Sequence, residues 1–120
     1  MPPPPSQWLP SSPPVEADSF DDLICGPLVL IHFWAPWNPY DKPFDANLQS
    51  LLPKYAKKLR CYSANTDDTA FTAIVEAHHI AAVPTLICFS NGRSKGRFHG
   101  LQTPEELNTF LEEMTAPQQR

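Results

Sequence analysis

Apolar positions along the chain fall into segments of two periods. Leu28 to Trp34 is apolar throughout except for His32, the pattern of a strand covered on both faces. Phe44, Leu48, Leu51, Leu52, Tyr55 and Leu59 recur at helical spacing and predict a helix around residues 40–58 with one buried face. Pro53 lies on the opposite face and should kink or interrupt it. Phe71, Ile74 and Val75 mark a further helix behind the Asp67-Asp68-Thr69 cluster, whose side chains suit a cap. Leu107, Phe110, Leu111 and Met114 stripe a last helix that opens on Thr103 as N-cap, Pro104 at N1 and Glu106 closing a capping box. Between these, Cys61–Asn65 predicts a short strand, and Thr85–Ser90 and Arg93–His99 flank Asn91-Gly92, a strong hairpin signal. A short amphipathic stretch, Ser19 to Ile24, stops at Gly26-Pro27. The order helix, strand, helix, strand, helix, hairpin, helix predicts an α/β fold: a central mixed β-sheet flanked by helices on both faces.

Seven of the fifteen prolines fall in the first 14 residues, where neither helix nor central strand can then form. The expected organisation is a Pro-rich disordered tail over residues 1–14, one domain over 15–116, and a C-terminal tail over 117–120. Trp8 is the one tail residue unsuited to solvent. The net charge of -4 and the absence of a basic cluster argue against nucleic-acid or anionic-membrane partners. No apolar run reaches the ~18 residues of a membrane-spanning helix, and no signal peptide opens the chain, so a cytoplasmic location is expected.

Cys25, Cys61 and Cys88 are odd in number and widely spaced, which predicts reduced, structural thiols and no disulfide framework. His32, His78, His79 and His99 lack metal-ligand spacing, so no metal and no cofactor are expected. His32 reads as a hydrogen-bonded core histidine, and His78 and His79 as a solvated helix C-cap that mildly favours the positive form.

Leu28 to Trp37 reads LVLIHFWAPW, and further on Val83-Pro84-Thr85 leads through Leu86 to Phe89 into Asn91-Gly92. The first resembles the strand and W-A-x-W entrance to the active site of the thioredoxin family, and the second is similar to that family's cis-proline loop, hairpin and turn. Gly100 and the Thr103-led helix also fall where the family has a glycine and its last helix. The resemblance covers roughly residues 16–114 and implies a thioredoxin-like fold with a cis Val83–Pro84 bond.

Where the family has Cys-Gly-Pro-Cys-Lys, this chain has Asn38-Pro39-Tyr40-Asp41-Lys42. Exchange at those positions needs one thiolate to attack and a second thiol to resolve, and neither an amide nor a carboxylate does either. Asn38 is expected as N-cap, Pro39 at N1 and Asp41 at N3 of the following helix. His32 stands where the resemblance implies a buried, proton-handling acid. The reading that follows is a degenerate site (Asn38, Asp41, His32) with no catalytic residue. The chain is expected to be no enzyme but a redox-inactive protein- or peptide-binding scaffold that grips an extended partner through Trp37, Tyr40, Val83, Pro84, Thr85 and Gly100. The alternatives are an oxidoreductase working through a single non-motif thiol, Cys61 or Cys88, or a structural subunit of a larger assembly.

Overall fold

The computed structural model describes residues 8–117; the expected tails over 1–7 and 118–120 lie outside the described residues. Its elements are α1 (Phe20–Leu23), β1 (Val29–Trp34), α2 (Asp41–Leu51), β2 (Arg60–Asn65), α3 (Thr72–Ala77), β3 (Thr85–Ser90), β4 (Arg93–His99) and α4 (Pro104–Thr115). The strands form one sheet in the order β2-β1-β3-β4, with β1–β2 parallel and the other two pairs antiparallel. This is the α/β arrangement read from the sequence.

β1 is central, and all six of its residues are buried, which is why its sequence shows no alternation. Helices cover both faces. Leu30, Leu86 and Phe98 meet Phe44 and Leu48 of α2 and Leu107, Phe110 and Leu111 of α4. Ile31, Phe33, Ile87 and Phe89 meet Phe20 of α1 and Phe71 beside α3. Each such fully buried side chain stabilises the fold by about 1.5–3 kcal/mol relative to exposure.

The local signals act as expected in most places. Asn91 and Gly92 take φ of 54° and 87°, the positive values that a two-residue hairpin turn requires. The Thr103–Glu106 capping box forms in both directions, and the Asp68 carboxylate accepts from Ala70 N–H at the turn preceding α3. Pro53 ends the α2 hydrogen-bonding pattern: α2 stops at Leu51 and a tighter helical turn, Leu52–Tyr55, follows.

The N-terminal segment departs from expectation. Residues 8–14, assigned to a disordered tail, pack on the domain. Pro14 bridges Ser63 in parallel register, and backbone bonds run from Val15 N–H to Ser63 O (2.9 Å) and from Ser63 N–H to Pro13 O (2.8 Å). Ser11 donates from N–H (3.2 Å) and Oγ (3.0 Å) to the Asp45 carboxylate, while Ser12, 3% exposed, accepts from Gln49 Nε2. Trp8 folds back edge-on against Trp34, with ring centroids 5.6 Å apart. Three prolines exclude helix, but they leave an extended strap free to lie along the outer edge of β2.

Candidate functional site

At the carboxyl end of β1 the chain turns through Ala35–Tyr40 into α2, and the cis Val83–Pro84 bond brings the start of β3 alongside. His32 and Asp41 meet beneath this surface. Both are fully buried, and His32 Nε2–H donates to Asp41 Oδ1 at 3.1 Å. The other Asp41 oxygen accepts from Ala35 N–H (3.1 Å) and from Asn38 Nδ2 (3.0 Å). Asp41 thus ties strand, loop and helix together through one carboxylate. His32 Nδ1 has no partner among the described residues, and the Phe44 ring lies 4.9 Å away, centroid to centroid. His32 is the hydrogen-bonded core histidine that was expected.

The helix start is not where the residue types placed it. α2 begins at Asp41, so Asn38 and Pro39 precede the helix and Asp41 is its first residue. Asn38 closes a turn through its N–H to Ala35 O (3.2 Å), and its Oδ1 accepts from Tyr40 N–H (3.3 Å). The strong inward bonds of Asp41 outweigh the capping preference of Asn38 and delay the helix by two residues.

Above the buried pair lies an exposed aromatic surface. Trp37 is 68% exposed and Tyr40 57%. Trp37 Nε1–H donates to Asp67 Oδ1 (3.1 Å), which fixes the ring while leaving it open to solvent. Asp67 is held in turn by its own N–H to Asn65 Oδ1 (2.9 Å). A groove of about 200 Å³ runs from Trp37 past Val75, Ile80 and Ala82 to Val83. Among the described residues no backbone hydrogen bond engages Val83 N–H or C=O.

Of the expected binding residues, Trp37 and Val83 therefore line one groove, and Tyr40 is exposed but is not part of its lining. Thr85 does not face it: the side chain is fully buried, and Oγ1 donates to Ala82 O at 2.7 Å. Pro84 is also buried, and its carbonyl accepts from Gly100 N–H (2.9 Å), so Gly100, at φ 72°, braces the loop with its own donor engaged. Sequence reasoning missed Asp67 and the Ile80–Ala82 wall. The Asn-x-Asp spacing after β2, a side-chain-closed turn, was the available signal.

The remaining titratable groups lie elsewhere. Burial pushes the Cys61 thiol up to about 12, with the Asp45 charge adding and the Ser12 hydrogen bond opposing; burial likewise pushes Cys88 up to about 11, against Lys95. Neither suits the single-thiol role assigned to them, because a thiol so raised holds almost no thiolate near neutrality. Cys25 is the exposed thiol; its Sγ–H donates to Asp21 O (3.2 Å) beside the hairpin turn. His78 caps α3, but its ring packs against Phe20 and Phe89, and burial lowers its pKa, so the positive form expected there is disfavoured. Among the described residues no three His, Cys, Asp or Glu side chains gather as metal ligands, and no helix is long and apolar enough to cross a membrane.

Residues 12–113 match the family model Thioredoxin. An M-type chloroplastic thioredoxin of Pisum sativum is 33% identical over 100 residues, covering 82% of this chain and 57% of that protein. Thioredoxin M4, chloroplastic, of Arabidopsis thaliana is 33% identical over 84 residues, covering 70% of this chain and 42% of that protein. The chain thus spans about half the length of the curated relatives it matches. The oxidised form of mitochondrial thioredoxin 3 from Saccharomyces cerevisiae superposes with a TM-score of 0.74 at 22% identity, over 86% of this chain and 95% of that one, a likeness of fold alone. The expectation that the chain is no enzyme is overturned by these relatives. They are named thioredoxins, which are oxidoreductases, and this chain retains three free thiols.

Proposed function

Because the chain belongs to the thioredoxin family, as the match over residues 12–113 shows, we propose that it receives extended polypeptide across the groove between Trp37 and Val83. The observation that carries this reading is Trp37 itself. A tryptophan left 68% exposed on a fixed ring, beside an apolar groove, has no packing role to explain its exposure. The ungripped Val83 backbone adds a place for main-chain pairing, which supplies affinity with little sequence reading.

The test is a titration of the isotope-labelled chain with a capped, uncharged extended peptide of alternating valine and alanine, followed by amide chemical shifts. Shifts should concentrate at residues 37, 40, 67 and 80–83, and Trp37→Ala should weaken binding by about fivefold to thirtyfold, as loss of one aromatic anchor does. Shifts elsewhere, or unchanged affinity in the variant, would refute it.

A second reading concerns thiol chemistry. Positions 38 and 41 carry no sulfur, so an oxidoreductase of this sequence needs another thiol, and the exposure of Cys25 favours that one. Its thiolate would attack a substrate disulfide, forming one S–S bond as the displaced sulfur leaves as thiolate; an external small thiol would then resolve the mixed disulfide. Incubation with oxidised glutathione and mass spectrometry tests the first step. Glutathione on Cys25 supports the reading, and none after prolonged incubation removes it. Three unpaired thiols suit a reducing compartment such as the cytosol.

A further inference from the structure

The end of the sheet opposite Trp37 carries a second, different surface. Between Ala46 and Thr66 the chain has four cations, Lys54, Lys57, Lys58 and Arg60, and no acid, a local basic cluster that corrects the sequence reading of none and that the net charge of -4 masks. Lys54 is engaged: Nζ donates to Asn108 Oδ1 (3.1 Å) and lies 5.8 Å from the Tyr55 ring centroid. Lys57, Lys58 and Arg60 are exposed, and among the described residues none has a carboxylate within salt-bridge distance. They rim a cleft of about 450 Å³ whose remaining wall includes Leu23, Leu28 and Tyr62.

The backbone at this cleft has few donors to offer a bare anion. Lys58 N–H and Leu59 N–H both go to Tyr55 O, at 2.8 and 3.0 Å, and Arg60 N–H goes to Leu28 O at 3.3 Å. A phosphate cradle depends on converging backbone N–H groups, and those of Lys58, Leu59 and Arg60 are already committed. What the cleft presents is side-chain charge of one sign around an apolar wall. Carboxylates spaced along a chain, with one large apolar side chain between them, match both parts.

We propose that the Lys57–Lys58–Arg60 cleft is a docking surface for an acidic peptide segment of a partner protein, one carrying a leucine or phenylalanine amid its carboxylates. β1 separates this cleft from the Trp37 surface by its whole length, about 20 Å. The cleft thus holds a partner independently of polypeptide bound at the groove.

The experiment uses the full chain and a fluorescein-labelled peptide, Asp-Glu-Asp-Phe-Glu-Asp-Glu, followed by anisotropy at low salt. Saturable binding is expected, with amide shifts at residues 23–29 and 56–62. Lys57→Glu/Lys58→Glu/Arg60→Glu should weaken it at least tenfold, and raising the salt from about 20 to 300 mM severalfold, as charge pairing at an open surface requires. The neutral triple Gln variant, with folding checked by circular dichroism, should weaken it less than the Glu variant. Trp37→Ala should leave this binding unchanged, which keeps failure here distinct from failure of the groove reading. The proposal is overturned if the triple Glu variant binds equally well, or if the Gln/Asn form of the peptide binds as tightly as the acidic one. It is also overturned if inorganic phosphate or anionic vesicles displace the peptide at lower concentration than the unlabelled peptide does.

Discussion

His32 Nε2 and Asp41 Oδ1 lie 3.1 Å apart with both side chains fully buried, joining the middle of the central strand to the first residue of the helix that follows it. The sequence suggested a hydrogen-bonded core histidine without its partner and an aspartate at the third position of a helix capped by Asn38. The two instead complete each other, and Asp41 also satisfies Ala35 N–H and the Asn38 amide. Asp41→Ala should therefore cost about 3–5 kcal/mol, the penalty for leaving a buried partner unpaired, with the buried Ala35 N–H orphaned as well. His32→Leu should cost less, because Asp41 keeps two donors. Urea unfolding of the two variants checks the order; an equal or reversed cost would show that the bond to His32, not the backbone bond, dominates.

Thiol labelling should discriminate sharply. Native protein treated with a thiol-reactive disulfide reagent at pH 8 should release about one equivalent rapidly, and Cys25→Ser should abolish that phase. Burial holds Cys61 at about 12 and Cys88 at about 11, several units above the working pH, so both should react only as the chain unfolds. Three fast equivalents would contradict the packing described.

Stability should fall on the acid side of neutrality partly through His78. Burial, with Arg97 and His79 adding and Asp21 opposing, lowers its folded pKa below the ordinary 6.5. The unfolded chain then binds a proton that the folded chain refuses as pH drops through 6.5. Its contribution is complete above that value and diminishes below it until the folded pKa is passed. His78→Phe, which preserves the contacts with Phe20 and Phe89, should flatten the wild-type decline between about pH 7 and 5. Parallel pH profiles for the two proteins would argue against the assignment.

Deleting residues 1–14 should lower the melting temperature by about 5–10 °C, since it removes the Pro13 and Ser12 carbonyls that accept from Ser63 N–H and Oγ, together with the serine contacts to Asp45 and Gln49. Thr103→Ala should cost about 1 kcal/mol through loss of the capping box. Calorimetry on both gives the comparison; an unchanged melting point after the deletion would mean that the strap contacts contribute nothing net.

Much of the fold was legible because its signals are local or periodic. Asn91-Gly92 needs only two positive φ angles, and Thr103-Pro104-x-Glu106 needs only one helical turn. Trp37 and Val83 were found through motif order, which holds their spacing across 46 residues of chain. What stayed hidden depends on tertiary partners. Proline content said correctly that residues 8–14 form no helix, but whether they pack depended on Asp45, Gln49 and Ser63, none adjacent in sequence. Asp41 was misplaced for the same reason: capping preference ranks neighbours, whereas its strongest bonds reach back to Ala35 and His32.

The strap along β2 also decides how the sheet can meet other sheets. Pro13 and Pro14 have no N–H to offer outward, so a further strand approaching on that side finds a flank without ladder donors at those positions. β4 is then the side on which the described sheet remains extensible. A sheet extensible on one side can join one other copy edge to edge and must stop there, because the pair presents a proline-blocked flank at each outer end. Continuous strand-by-strand growth into a fibre needs both edges open, and this fold keeps one of them closed.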